Sequence, residues 1–218
     1  MDIDFFVEQL LSQWLSQTLL EMIAVLCSVA YVTLAARANK WCWPFAFAST
    51  AIFSYVFFDV KLTQEALLNV YYLLMAIYGW YAWSKQSSPT KSPDVVEKVS
   101  DRDSLIQSWS LATHIRLIFF IVMVGIVSGL LFEIYFDAEF SLLNGISSWL
   151  AVLTTYLVTQ KVLENWYYWM VINSLSLYMF ASLELYVTAL LMLIYLAMSI
   201  YGINEWQRLF KQQQLKSQ

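Results

Sequence analysis

Seven stretches of the chain stay apolar for long enough to cross a bilayer, and the charged residues fall between them. They cover residues 20–36, 41–58, 65–83, 117–135, 141–160, 166–183 and 185–206. Each reads as a helix, because lipid offers no hydrogen-bond partner to an open backbone. Segment 1–19 reads as an N-terminal periplasmic segment. Residues 84–116, with Pro89, Pro93 and much of the charge, read as a cytoplasmic linker in which 107–114 lies along the interface. The tail 207–218 is polar and reads as cytoplasmic.

Lysine and arginine orient the pattern. With the N-terminus outside, the inner segments hold Arg37, Lys40, Lys85, Lys91, Lys98, Arg102, Arg116, Lys161, Arg208, Lys211 and Lys216. The outer segments hold only Lys61. Basic residues near helix ends stay on the cytoplasmic side, so the expected topology is N-out, C-in.

A shift of 123 residues lays the second half of the chain on the first. Trp43 falls on Trp166, Tyr55 on Tyr178, Phe57 on Phe180, Leu62 on Leu185, and segment 66–68 on 189–191. Tyr72, Met75, Ile77, Tyr78, Gly79 and Trp83 then meet Tyr195, Met198, Ile200, Tyr201, Gly202 and Trp206 in one unbroken register. Leucine matches are common between apolar helices, whereas a shared Tyr-Gly-x-x-x-Trp is not. Three helices per copy would invert the second copy unless one more intervened, and segment 117–140 supplies it. The expected architecture is an all-α integral membrane protein of seven transmembrane helices in a 3+1+3 arrangement, with parallel repeats at 20–83 and 141–206. Parallel repeats of this kind occur in transporters, with substrate bound between the halves near midplane.

Composition supports a lipid-embedded chain: of 218 residues, 60% are hydrophobic and 13% charged, against about 25% charged in soluble domains. No basic stripe exists to neutralise phosphates, which argues against nucleic acid. Cys27 and Cys42 read as packing residues, and His114, the lone histidine, as a linker residue without a second metal ligand. The acidic start (Asp2, Asp4, Glu8) lacks the features of a signal peptide.

The strongest candidate site is on the sixth helix, where Glu164-Asn165-Trp166-Tyr167-Tyr168-Trp169 is followed by Asn173. Trp166, Trp169 and Asn173 are spaced i, i+3, i+7 and share a face. Two indoles and an amide suit a flat heterocyclic cation: each ring offers roughly 0.5–2 kcal/mol of cation–π attraction, and the amide reads a polar edge. The competing account is an aromatic belt at the interface, which suits Tyr167 and Tyr168 but not the deeper Asn173. On the third helix Asn69, Tyr72, Ala76 and Gly79 form a second stripe. Asn69 is a ligand contact or a helix–helix bond, and Gly79 and Gly202 allow close helix approach. Trp83 and Trp206 read as interface anchors. Asn144, Ser147, Ser148, Ser174 and Ser176 line a path or join helices, Glu133 reads as interfacial, and Glu184 as a solvated outer turn residue. No phosphate loop, no lysine in the last helix for a Schiff base, no intramembrane carboxylate chain and no nucleophile–base or metal constellation occurs. An enzyme and a cofactor are not expected; passive, uncoupled transport is.

The run 69–83 (Asn-Val-Tyr-Tyr-Leu-Leu-Met-Ala-Ile-Tyr-Gly-Trp-Tyr-Ala-Trp) together with 164–173 resembles the Pnu family of bacterial B-vitamin transporters, over residues 20–206. The resemblance implies a 3+1+3 fold similar to a doubled, SWEET-like sugar facilitator, and facilitated diffusion with cargo trapped by a cytoplasmic vitamin kinase. It places the family's tryptophan–asparagine motif on Trp166, Trp169 and Asn173. Riboside-carrying members typically have a glutamine where Asn69 stands, which tilts the expected cargo from nicotinamide riboside towards thiamine. Pro44 is the only proline in or near a span, so the hinge of the eukaryotic sugar facilitators does not carry over. The expected partners are a small cationic vitamin and membrane lipid, with a homo-oligomer left open. A sugar facilitator and a non-transporting membrane sensor are the competing functions.

Overall fold

The structure, a computed structural model, describes residues 3–59, 63–86, 106–136 and 141–216. Among them are eight helices: α1 (Ile3–Leu15), α2 (Leu19–Ala36), α3 (Cys42–Asp59), α4 (Thr63–Gln86), α5 (Leu111–Phe136), α6 (Ser141–Thr159), α7 (Asn165–Ser182) and α8 (Tyr186–Lys216). Each of the seven expected runs falls on one of α2–α8. Most of the linker (87–105) and Lys61 lie outside the described residues.

Three boundaries differ from expectation. The N-terminal segment is helical: Val7, Leu10, Leu11 and Trp14 repeat at helical spacing over a run too short to span. α1 packs on α8, and the Gln13 side chain grips the α7–α8 turn, donating to the Glu184 carbonyl at 2.6 Å and accepting from Val187 N–H at 3.2 Å. α5 begins at Leu111 and so takes in His114 and Arg116, read from sequence as linker. α8 continues through the polar tail to Lys216, where Gln213 Oε1 accepts from Ile106 N–H at 3.1 Å. Polar composition ends a span but does not end a helix.

α2 starts on a capping box: Thr18 Oγ1 accepts from Glu21 N–H and Glu21 Oε2 from Thr18 N–H. By length and hydropathy, Leu19–Ala36, Leu111–Leu131, Ser141–Thr159 and Tyr186–Lys216 can cross a membrane. Helices α4 and α7 carry many Trp and Tyr residues, whose polar tips lower hydropathy although the rings suit bilayer interfaces. The hydropathy of α3 is lowered by Pro44, its Ser and Thr residues and Asp59.

The 123-residue shift reappears in the turns. Ala38, after α2, and Lys161, after α6, occupy the same register and both take positive φ (51° and 54°). At each, the next residue's N–H returns to a carbonyl five positions back, Asn39 to Leu34 and Val162 to Leu157, both at 3.0 Å. These are paired αL helix endings on residues that are not glycine.

Packing repeats as well. The indole of Trp43 lies on Gly79 and that of Trp166 on Gly202, so close that a Cβ on either glycine would collide with the ring. Trp43 meets Trp83 edge-on at 5.3 Å, and Trp166 meets Trp206 likewise at 5.6 Å. Trp83 and Trp206 complete a row of four rings with centroids 6.5 Å apart. The indole N–H of Trp83 donates to Thr159 O on α6, and that of Trp206 to Ala35 O on α2, each at 3.1 Å. All four tryptophans are at most 2% exposed. Trp83 and Trp206 are therefore buried ties between the halves, not interface anchors. The two glycines admit a tryptophan rather than a helix backbone.

α5 lies against α6 on glycine. A Cβ at Gly125 would stand 2.7 Å from Ile146 Cα, one at Gly129 2.8 Å from Leu142 Cα, and one at Gly145 2.6 Å from Gly125 O. Gly125 and Gly129 form the small-x-x-x-small spacing that brings membrane helices into backbone contact.

Candidate functional site

The expected α7 stripe faces the neighbouring helices, and its members have different surroundings. Trp166 is sealed between Gly202 and Trp206, in the place that Trp43 takes in the first half. Trp169 is half-buried and packs against both core clusters, one built on the four tryptophans and one on α6 residues such as Leu150, Leu153 and Leu157. Asn173, 5% exposed, sits near the middle of α7 and donates from Nδ2 to Ser199 Oγ of α8 at 3.3 Å. A buried amide needs partners, since leaving it unpaired costs about 1–3 kcal/mol. Among the described residues, Ser199 is the only side chain bonded to Asn173.

α8 supplies the facing wall. Tyr195, Ser199, Gly202 and Trp206 follow one stripe at i, i+4, i+7, i+11. The Tyr195 hydroxyl bonds Ser28 of α2, and Ser199 Oγ donates to Tyr195 O at 2.8 Å. On α4, Tyr71 OH crosses to Val152 O of α6 at 2.9 Å, while Tyr72 packs against the cluster that Trp169 also borders. Asn69 Nδ2 donates to Glu65 O of its own helix at 2.9 Å, and among the described residues that amide has no hydrogen bond to another helix. The structure thus places Trp169 and Tyr72 against one cluster and joins Asn173 to Ser199. Trp166 belongs to the ring row, and Asn69 bonds within α4, one turn before Tyr72.

Several of the other polar residues bond backbone: Ser147 Oγ to Asn144 O and Ser174 Oγ to Met170 O. Glu184 adopts positive φ (58°) in the α7–α8 turn. Cys27 and Cys42 are free thiols. Grooves of about 430 Å³, between α3 and α4 and lined by Ser54, Tyr55, Phe58, Ala66, Leu67 and Val70, and 370 Å³, beside Gln13 and Glu184, include none of the expected site residues.

Sequence reasoning missed a polar cluster at the N-terminal end of α7. His114, 6% exposed, shares a hydrogen bond of 2.8 Å between Nδ1 and the Tyr168 hydroxyl, and its Nε2 lies 3.6 Å from Glu164 Oε2. Glu164 also accepts from the Ser108 hydroxyl and the Trp109 N–H. Gln107 bridges Lys161 and Leu163 through two backbone bonds of 2.9 and 2.8 Å, which pins segment 106–110 across the α6–α7 turn. Glu164 and Tyr168, at i and i+4, were visible as one face. Their partner, some fifty residues earlier, was not.

Comparisons with known proteins bear on the family and the fold. Residues 18–208 match the family described as Nicotinamide mononucleotide transporter. The nicotinamide riboside transporter PnuC of Escherichia coli (strain K12) is 24% identical over 204 residues, covering 86% of this chain and 84% of that protein. The protein of the same name from Neisseria mucosa is 22% identical over 199 residues, covering 88% and 73%. Among solved structures, the crystal structure of the vitamin B3 transporter PnuC superposes with a TM-score of 0.71 at 18% identity, covering 95% of this chain and 91% of that one. The fold is shared, and by the match across almost its whole length the chain belongs to the Pnu family of transporters.

Proposed function

We propose that the chain carries nicotinamide riboside across the bacterial inner membrane by facilitated diffusion. The observation that carries this reading is the near-full-length likeness to relatives named for that cargo. It displaces the tilt towards thiamine, which rested on the family resemblance and the departure at Asn69 and which the relatives named above do not support. The site suits the cargo: Trp169 offers a ring to the pyridinium, Asn173 an amide to the carboxamide, and Asn69 and Tyr72 further polar contacts from α4. The 3+1+3 arrangement belongs to the same proposal, with α2–α4 and α6–α8 as repeats and α5 between them. So do the N-out, C-in orientation and a cytoplasmic kinase that traps the imported nucleoside.

Titration of the purified protein with nicotinamide riboside and thiamine in parallel, read by tryptophan fluorescence, tests the cargo. Saturable quenching by the riboside is expected, reduced in Trp169→Phe. Quenching by thiamine alone would reinstate the thiamine reading. Counterflow of labelled riboside into liposomes, with neither ATP nor a proton gradient, tests the passive mechanism. A requirement for either energy source would refute it.

A further inference from the structure

Asn173 is read above as a ligand contact, but an amide has two unlike faces, and which one meets the ligand decides what can be bound. One carries a carbonyl oxygen that only accepts, the other an NH₂ that only donates. Ser199 settles the choice by its own hydrogen bonding. Its hydroxyl has a single proton, and that proton is engaged by Tyr195 O at 2.8 Å, one turn earlier in α8. Towards Asn173, 3.3 Å away, Ser199 Oγ therefore offers a lone pair, and only an N–H can face it. Ser199 is 1% exposed, so water does not compete for either bond. The amide is locked with Nδ2 against α8 and Oδ1 directed away from Ser199, where no described side chain donates to it.

We infer that Ser199 is a positioning residue that sets selectivity: by holding the Asn173 carbonyl outward, it makes the site demand an N–H donor on the cargo. This deepens the cargo reading and rests on it. A pyridine nucleoside with a carboxamide supplies that donor. The same nucleoside with a carboxylate presents only acceptor oxygens, which meet the Oδ1 lone pairs in a poorly hydrated space. Sites that pair a buried polar group with one cargo reject analogues that leave it unpaired. The first repeat has no such device. At the 123-residue shift Asn173 becomes Thr50, whose hydroxyl bonds back to Ala46 O at 2.8 Å, and Ser199 becomes Ala76.

The test compares binding of nicotinamide riboside with that of nicotinic acid riboside to purified wild type, Ser199→Ala and Ser199→Thr. Wild type should prefer the carboxamide. In Ser199→Ala the amide is free to rotate and offer Nδ2–H to the carboxylate, so the preference should fall about tenfold, mostly through tighter carboxylate binding. Ser199→Thr retains the hydroxyl and the bond to Tyr195 O, and should restore it. A general packing defect would weaken both ligands together and leave their ratio unchanged. If Ser199→Ala does not fold, Ser199→Cys keeps the volume with a weaker acceptor and should show the same drop in ratio. An unchanged ratio in whichever of these two variants folds overturns the role of Ser199 while leaving the cargo reading intact. Failure of wild type to bind either riboside overturns the cargo reading, and the selectivity role with it.

Discussion

The two three-helix segments α2–α4 and α6–α8 share a skeleton at one end and part company in the middle. At the shared end the turn after the first helix takes positive φ, an indole from the second helix rests on a glycine of the third, and a second indole crosses to a backbone carbonyl of the other segment. Midway along, the second segment has Asn173 bonded to Ser199 where the first has Thr50 and Ala76. On α4 the first segment instead has Asn69, where α8 has Met192. The matched positions are those that hold the helices together. The mismatched ones are polar, buried or half-buried, and costly to keep in a membrane protein without a use. Under the proposed function the matched tryptophans and glycines form the frame, and Asn69, Asn173 and Ser199 stand where the two segments differ.

The sharpest way to break that comparison is at the divergent pair. Asn173→Ala should reduce riboside uptake to background in vesicles with expression unchanged, while Thr50→Ala at the matching position should transport nearly as wild type. Equal losses would mean that both halves bind cargo alike. Next in size are the matched glycines. Gly79→Ala and Gly202→Ala each force an indole out of its seat and should cost about 1–3 kcal/mol, seen as similar falls in the melting temperature of the detergent-purified protein. A large fall for only one would show that the frame is not symmetric. Trp83→Phe and Trp206→Phe keep most of the ring but delete the N–H to the opposite segment. Each should cost about 1 kcal/mol for the lost hydrogen bond, less at Trp206 because Ala35 O also accepts from Ala38 N–H at 2.9 Å, and the double variant tests whether the two ties add. Smallest is Gln13→Ala, which removes a pair of bonds at an exposed turn and should shift stability by about 0.5 kcal/mol or less while raising hydrogen exchange in α1.

Much of this was legible in the residues. Apolar runs fall on helices because lipid imposes one solution on the backbone, and the register of the repeat was readable from Trp43, Gly79, Trp83 and their counterparts. What those residues do was not. Trp83 and Trp206 at helix ends looked like interface anchors, since a tryptophan near a helix end carries the same local signal whether it meets headgroups or a carbonyl on another helix. Gly79 was seen as a place of close approach, but the approaching group, the Trp43 ring, comes from 36 positions earlier. The α7 stripe likewise mixed a packed residue, Trp166, with Asn173, because helical spacing gives a face and not the neighbour it meets.

Sequence alone therefore determined the helical class, the number and register of the long apolar elements, and the family, all of which depend on local periodicity and on motifs contiguous in the chain. Tertiary structure decided which tryptophans are ties, that α1 clips onto the α7–α8 turn through Gln13, that His114 is bound to Tyr168 and not free in a linker, and which face of the Asn173 amide is spoken for. Each of these depends on a partner 26 to 174 residues away. A hydrogen bond needs its two atoms within about 3 Å and aligned, and only the packed chain brings such distant residues to that distance.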